Sequence, residues 1–308
     1  MASDSIKVFC PATVANVSCG FDVLGLALDT VGDEMTLTKT NSGEVRITEI
    51  LGQDLPLEAD KNVAGVAVKA LLEKGGFKNG IDIKIDKRIK PGSGIGSSAA
   101  SSAGAVWAVN HLLGTPFDTL DLVRFAMEGE KLASGAAHAD NVAPALYGGF
   151  TLVRSYDPLD IIKIDAPAEL HATVIHPQIQ VKTADSRNIL KQSISLKDGI
   201  KQWGNLGGLI AGLYTQDYAL IGRSLEDHIV EPLRAILIPQ FQEVKQAVLE
   251  AGALGSGISG SGPSIFALSE GTENAEKVAE AMYQVYSKTG IEFDIHRSPI
   301  NPSGVKIL

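Results

Sequence analysis

One stretch limits what this chain can fold into more than any other. After alternating Ile81, Ile83 and Ile85, residues 91–113 read PGSGIGSSAASSAGAVWAVNHLL. The alternation predicts a half-buried strand. Glycines at 92, 94 and 96 then predict a tight turn, and the Ala/Ser-rich run beyond them is of helical length and stops before Gly114. Such a strand, loop and small-residue helix either packs a helix very closely or brings backbone up to a ligand. The first turn of a helix has unpaired N–H groups and the positive end of the dipole, so the ligand reading suits phosphate. Ser97 and Ser98 stand where the helix begins and offer hydroxyls to phosphate or magnesium. The residues alone admit both readings. A P-loop is excluded, because GxxxxGK[ST] is absent and no Gly-Lys pair occurs. A phosphate grip here therefore lacks the usual lysine.

The flanking chain mixes helices and strands. Asp60 is the expected N-cap of a helix that sets Val63, Val66, Ala67, Ala70 and Leu71 on one face and stops at Gly75. A second helix follows Asp118, carries Leu122, Val123 and Ala126, and runs to about Ala133. Near residues 148–160 a strand-like run meets Asp157-Pro158, which places a domain boundary there, with domains 1–157 and 158–308. The second half predicts strands over 171–175 and 293–297, and helices around 198–214, 240–250 and 272–290. Without regular βα alternation, the class is α+β.

Composition narrows the partners. With 308 residues, 44% hydrophobic and 20% charged, the chain can bury a core as an ordinary soluble protein. No apolar run approaches membrane length and no signal pattern opens the chain, so no membrane and a cytoplasmic location are expected. Cys10 and Cys19 read as reduced thiols. A net charge of −9 argues against nucleic acid, and an anionic ligand would need local positive groups.

Gly255, Gly257 and Gly260 satisfy GxGxxG, but a helical run precedes them and Pro263 with a strand-like run follows. A dinucleotide fingerprint requires the reverse order. The segment reads instead as an irregular loop that touches a ligand or the first glycine loop. No GxSxG, HExxH, EF-hand or zinc spacing appears. The polar candidates are Asn16 and Asp22 flanking a short turn, Glu130 late in a helix, the cluster His138, Asp140 and Asn141, and Arg187 and Arg234. Taken singly each reads as a capping or surface residue. Taken together, Ser98 with Glu130 suits Mg²⁺, which needs few protein oxygens, and two arginines can fork onto a carboxylate.

In order along the chain, PATVANVSCGFDVLGLALD, KPGSGIGSSAAS, HADNVAPALYGG and GISGSGPSIFAL resemble the motifs of the GHMP family of small-molecule kinases, and among its members those that phosphorylate L-homoserine. The resemblance implies a two-domain α+β GHMP kinase fold, with a left-handed βαβ unit in the N-terminal domain and a ferredoxin-like C-terminal domain. It implies ATP and Mg²⁺, transfer of the γ-phosphoryl group to homoserine to give O-phospho-L-homoserine on the route to threonine, and a homodimer. Pro91, Gly92, Ser93, Gly94, Ile95, Gly96, Ser97, Ser98, Ala99, Ala100 and Ser101 match the phosphate loop, Ser98 and Glu130 the magnesium positions, and Asn62 the adenine pocket. Asn16, Asp22, His138, Asp140, Arg187, Arg234 and Gly260 match positions around homoserine, with acidic residues facing its ammonium and arginines its carboxylate. Asn141, Thr183 and Glu130 are the implied catalytic residues, Thr183 lying near the γ-phosphate.

Asn141 stands where related kinases keep an aspartate, so the expected mechanism has no strong side-chain base and passes the proton to the phosphoryl group. One departure is visible: Ser18-Cys19-Gly20 replaces a Gly-Pro-Gly frequent in the family. A kinase for another alcohol such as mevalonate would carry aspartate at 141, and a kinase for a sugar would need no arginines aimed at a carboxylate. A non-catalytic ligand sensor would not need Ser98 and Glu130.

Overall fold

The computed structural model describes residues 4–179, 181 and 183–308, and for residues 134 and 183–185 the backbone alone. Its first sheet grows from a long antiparallel pair, β1 (Ser5–Ala15) and β2 (Leu24–Thr40). β3 (Val45–Leu51) and β4 (Gly80–Asp86) lie parallel, joined through α1 (Val63–Gly75), which makes a βαβ unit. The predicted helix over this region is thus present, but its cap is Asn62 rather than Asp60. Asn62 is the residue with extended backbone just before the helix, and its side-chain oxygen accepts from Ala64 N at 3.0 Å. Asp60 lies one turn earlier and pairs with Lys69.

The glycine-rich stretch folds as expected, into α2 (Ser97–Leu112). This helix is buried nearly all round, which its small residues allow. A Cβ on Gly104 would lie 2.0 Å from Cys10 Sγ, so the helix can sit on β1 only with glycine there. α3 (Thr119–Ser134), capped by Asp118 as predicted, and α4 (Val142–Tyr147) pack beside it. β5 (Phe150–Tyr156) and β6 (Leu159–Ile164) form a hairpin added to β2. Position 157/158, where the sequence places a boundary, is the turn of this hairpin. By strand pairing the first sheet continues to Ile164.

The second sheet is antiparallel, in the order β10-β7-β9-β8. Its strands are β7 (Leu170–Pro177), β8 (Gly255–Ile258), β9 (Ile265–Glu270) and β10 (Phe293–Pro299). Between β7 and β8 run α5 (Thr183–Asn188), α6 (Leu196–Thr215), α7 (Tyr218–Ser224), α8 (Glu231–Arg234) and α9 (Phe241–Glu250). α10 (Gly271–Tyr286) joins β9 to β10 and packs on α9. The order of β7, α9, β8, β9, α10 and β10 is that of a ferredoxin-like unit, as expected. A final strand, β11 (Lys306–Ile307), returns to pair with β1.

Both faces of β7 are buried. Leu170, Ala172 and Val174 join the core of the first sheet together with Leu209 and Leu213 of α6. Ile175 packs with Val244 and Val248 of α9 and Met282 and Tyr286 of α10. Among the described residues no helix is long and apolar enough to cross a membrane.

The inward register of Ile81, Ile83 and Ile85 continues to Lys87, which is 3% exposed. Its ammonium meets the fully buried Asp33 of β2 and donates to Ser97 O at 2.6 Å. The other Asp33 oxygen accepts from Arg88 N and Ile89 N, each at 2.8 Å. Removing one charge of such a pair strands the other, which costs about 3–5 kcal/mol, whereas removing both costs less. Urea unfolding is therefore expected to show a loss of that size for Asp33→Asn, and a smaller loss for Asp33→Asn combined with Lys87→Met. Equal losses in the two proteins would show that the charge pair is not what holds this corner.

Candidate active site

The two glycine loops meet. Ser259 Oγ donates to Gly94 O at 2.7 Å and Ser264 Oγ to Ser93 O at 2.6 Å, while Gly260 N donates to Ala15 O at 3.0 Å. Gly94 has φ +83°, and a Cβ there would come within 2.8 Å of the Ser259 and Gly262 carbonyls, so neither contact survives a side chain. Gly96, at φ +68°, leaves room for Thr13 and Asn141, whose side chains share a hydrogen bond of 2.8 Å from Thr13 Oγ1 to Asn141 Oδ1.

These loops wall a cleft of about 370 Å³, the size of a small-ligand site. Of the phosphate-loop residues, Pro91, Gly92, Gly94, Gly96, Ser97, Ser98 and Ser101 line it. Ser93, Ile95, Ala99 and Ala100 do not. Ile95, Ala99 and Ala100 belong to the core, because apolar side chains in this loop gain more by packing under it than by facing the cleft. Asn62 lines the cleft, with its amide nitrogen donating to Pro56 O at 2.9 Å and its oxygen spent on the cap. Thr183 opens α5, and its side chain lies outside the described residues.

In the cleft Ser98 hydrogen-bonds Glu130, and burial pushes the Glu130 carboxyl up to about 7 against the opposing pull of Ser98 and Lys87. A buried carboxylate beside a hydroxyl suits a small oxygen-seeking cation. Lys87 itself lines the cleft, with its ammonium already paired to Asp33. The sequence reading missed it, although its place in the 81, 83, 85, 87 alternation marks it as inward-facing.

A second group of lining residues carries opposite charges. Asp22 accepts from Arg187 at 3.0 and 3.3 Å, and the same guanidinium lies 2.9 Å from His138 Nε2. Burial lowers the His138 pKa, with Asp22 opposing and Arg187 adding to the fall, and because a guanidinium only donates, Nε2 is the acceptor. Asp140 is 4% exposed, and burial, with Asp22 and Glu130 adding like charge, pushes its carboxyl up to about 7. Arg234 is 3% exposed, not a surface arginine. It donates from Nε to Ser186 O at 2.9 Å and stacks 4.9 Å from the centre of the Phe21 ring.

Asn16 shapes this group: its oxygen accepts from Asp22 N and its nitrogen donates to Gly260 O, both at 2.7 Å. Asn16, Ser18 and Asp22 all have positive φ, a cluster of strain typical of a functional turn. Ser18, at φ +48°, thus adopts the backbone that a glycine would take there. Tyr156, also missed from sequence, braces the turn by donating to Asp22 O at 3.3 Å.

Known proteins match along the whole chain. The GHMP kinases N terminal domain matches residues 62–149 and the GHMP kinases C terminal domain residues 209–288. A homoserine kinase of Chlorobium phaeobacteroides strain BS1 is 50% identical, with 99% of each chain covered. One of Chloroherpeton thalassium is 49% identical, covering 97% of this chain and 98% of the relative. The crystal structure of homoserine kinase from Cytophaga hutchinsonii is 55% identical with a TM-score of 0.96, covering 100% of this chain and 98% of that one. The chain therefore belongs to the GHMP kinases and, within them, to the homoserine kinase family.

Proposed function

We propose that this chain transfers the γ-phosphoryl group of ATP to the side-chain hydroxyl of L-homoserine, giving O-phospho-L-homoserine and ADP. The observation that carries the reading is the gathering of carboxylates at Asp22 and Asp140 with guanidiniums at Arg187 and Arg234, Asp22 and Arg187 ion-paired, in a cleft also lined by a glycine loop that opens a helix. A zwitterionic amino acid has one charge for each wall. A plain alcohol or sugar has neither, and its entry would leave the Asp22–Arg187 pair unused.

The hydroxyl oxygen forms a bond to Pγ as the bond from Pγ to the ADP oxygen breaks. The hydroxyl proton passes to the transferred phosphoryl oxygens. Asn141 accepts from Thr13 through its oxygen, so it serves to orient and not to remove a proton. Positioning and electrostatics suffice for a loose phosphoryl-transfer transition state. The α2 N-terminus presents positive charge to the phosphates, and Lys87, paired with Asp33, holds that N-terminus through Ser97 O. Ser98 and Glu130 would hold Mg²⁺, which neutralises charge on the phosphate oxygens when bound. The part of the cleft bordered by Asn62, Val63 and Ile85 is assigned to adenine, and Thr183, the first residue of α5, to the γ-phosphate.

The reading includes a cytoplasmic enzyme of threonine biosynthesis, supported by two free buried cysteines. It also includes a homodimer, supported by Leu196, Ile200, Trp203 and Tyr214, a row of exposed apolar side chains along α6.

Glu130→Gln removes the charge the metal needs while keeping shape. Turnover is expected to fall at least about 100-fold, with thermal stability retained. Wild-type magnesium dependence in that variant would remove Glu130 from the site.

Asp140 also sets a pH dependence. Arg187 opposes the rise caused by burial, Asp22 and Glu130, and Tyr156 lies close by. A carboxyl titrating near 7 is mostly protonated at pH 6 and mostly ionised at pH 8, and only the ionised form attracts an ammonium. KM for L-homoserine at saturating ATP is therefore expected to fall about tenfold from pH 6 to pH 8 in the wild type, and to stay high and flat in Asp140→Asn. A slope that survives the substitution would assign it to another group.

A further inference from the structure

Asp227 and Gln202 lie outside the cleft, yet the parts that carry its two charged walls are tied together through them. Asp227, in the loop between α7 and α8, is 9% exposed. Its Oδ1 accepts from Ile229 N at 2.9 Å and Val230 N at 3.0 Å, and its Oδ2 from Glu231 N at 2.8 Å. These bonds hold the start of α8, a four-residue helix too short to persist on its own. Arg234 is its last residue.

Gln202 comes from the buried face of α6. Its amide nitrogen donates to Asp227 Oδ1 at 2.9 Å and to Cys19 O at 3.1 Å, and its oxygen accepts from His228 N at 3.0 Å. Cys19 sits in the turn that carries Asn16 and Asp22, and its thiol makes a second tie, to Ser224 O at 3.4 Å. One buried amide thus joins the turn bearing the acidic wall to the loop bearing Arg234.

We propose that Gln202 and Asp227 are positioning residues for the amino-acid acceptor, fixing the distance between Asp22 and Arg234; this rests on the reading of the cleft as a homoserine site. Neither residue lines the main cleft, and Asp227 borders only a side pocket of about 10 Å³ shared with Asn16 and Arg234, too small for the acceptor. Their effect is geometric. A recognition group displaced by about 1 Å from remote changes can cost on the order of 100-fold in rate. The nucleotide side is held by other contacts, those of the two glycine loops and of Lys87 with Ser97 O. Loosening Gln202 or Asp227 therefore acts on one substrate and spares the other.

The test is steady-state kinetics on the full chain with Gln202→Met and Asp227→Asn. Gln202→Met keeps the length of the side chain and strips its three hydrogen bonds. Asp227→Asn keeps the bonds to Oδ1 and turns an N–H donor against Glu231 N. Each is expected to raise KM for L-homoserine by about tenfold or more and to leave KM for ATP within about twofold, with unchanged circular dichroism. A merely structural role would lower thermal stability and move both KM values together, or neither, and that result would overturn the proposal. A wild type that phosphorylates no L-homoserine would overturn the reading beneath it instead.

Discussion

The cleft exists because two loops from opposite halves of the chain touch through backbone carbonyls. Ser259 and Ser264 donate to the carbonyls of Gly94 and Ser93, and the contact closes only where no Cβ intrudes. Part of what gives the site its chemistry hangs from this seam. Gly260 orients Asn16 through its carbonyl, Asn16 fixes the backbone of Asp22, and Arg234 approaches the same carbonyl at 3.4 Å. The first loop turns into α2, so the seam also aims the positive end of that helix into the cleft.

Charge is distributed against the average. The chain carries a net −9, yet the cleft gathers Lys87, Arg187 and Arg234 beside Asp22, Asp140 and Glu130. The local charge that an anionic nucleotide and a zwitterionic acceptor would need under the proposed function is hidden by the overall composition. Before the acceptor arrives Asp22 and Arg187 satisfy one another, so the site holds its charges ready without leaving either one stranded. Under the proposed function the acceptor's own charges would replace an interaction already present, which favours molecules that carry both.

Much of this was legible from residues. The glycine loop, the small-residue helix and the stop before Gly114 follow from backbone permissiveness and side-chain volume, which are local properties. The dinucleotide reading of Gly255, Gly257 and Gly260 failed for a local reason as well, since a helix precedes them and a strand follows. The second loop is expected from its sequence to touch a ligand or the first loop; in the fold it touches the first loop and also lines the cleft through Gly260 and Ser261. Arg234 looked like a surface arginine because nothing in EPLR marks the Phe21 ring and the Ser186 carbonyl that enclose it. Thr13, Tyr156, Gln202 and Asp227 act through contacts between residues far apart in the chain, and no local spacing encodes those. Lys87 is different, because the period-two pattern already pointed it inward. A lysine in a core register carries information that a motif search for Gly-Lys passes over.

The central claim is that the cleft selects an alcohol bearing both an ammonium and a carboxylate. It is tested most directly by comparing kcat/KM for L-homoserine, 3-aminopropan-1-ol and 4-hydroxybutanoate, with transfer followed by ³¹P NMR. The two analogues lack the carboxylate and the ammonium respectively, and each leaves one wall uncompensated at about 2–5 kcal/mol. The account predicts that L-homoserine exceeds both by at least about 30-fold at roughly 1.4 kcal/mol per decade. Either analogue turning over within a few-fold of L-homoserine would contradict it.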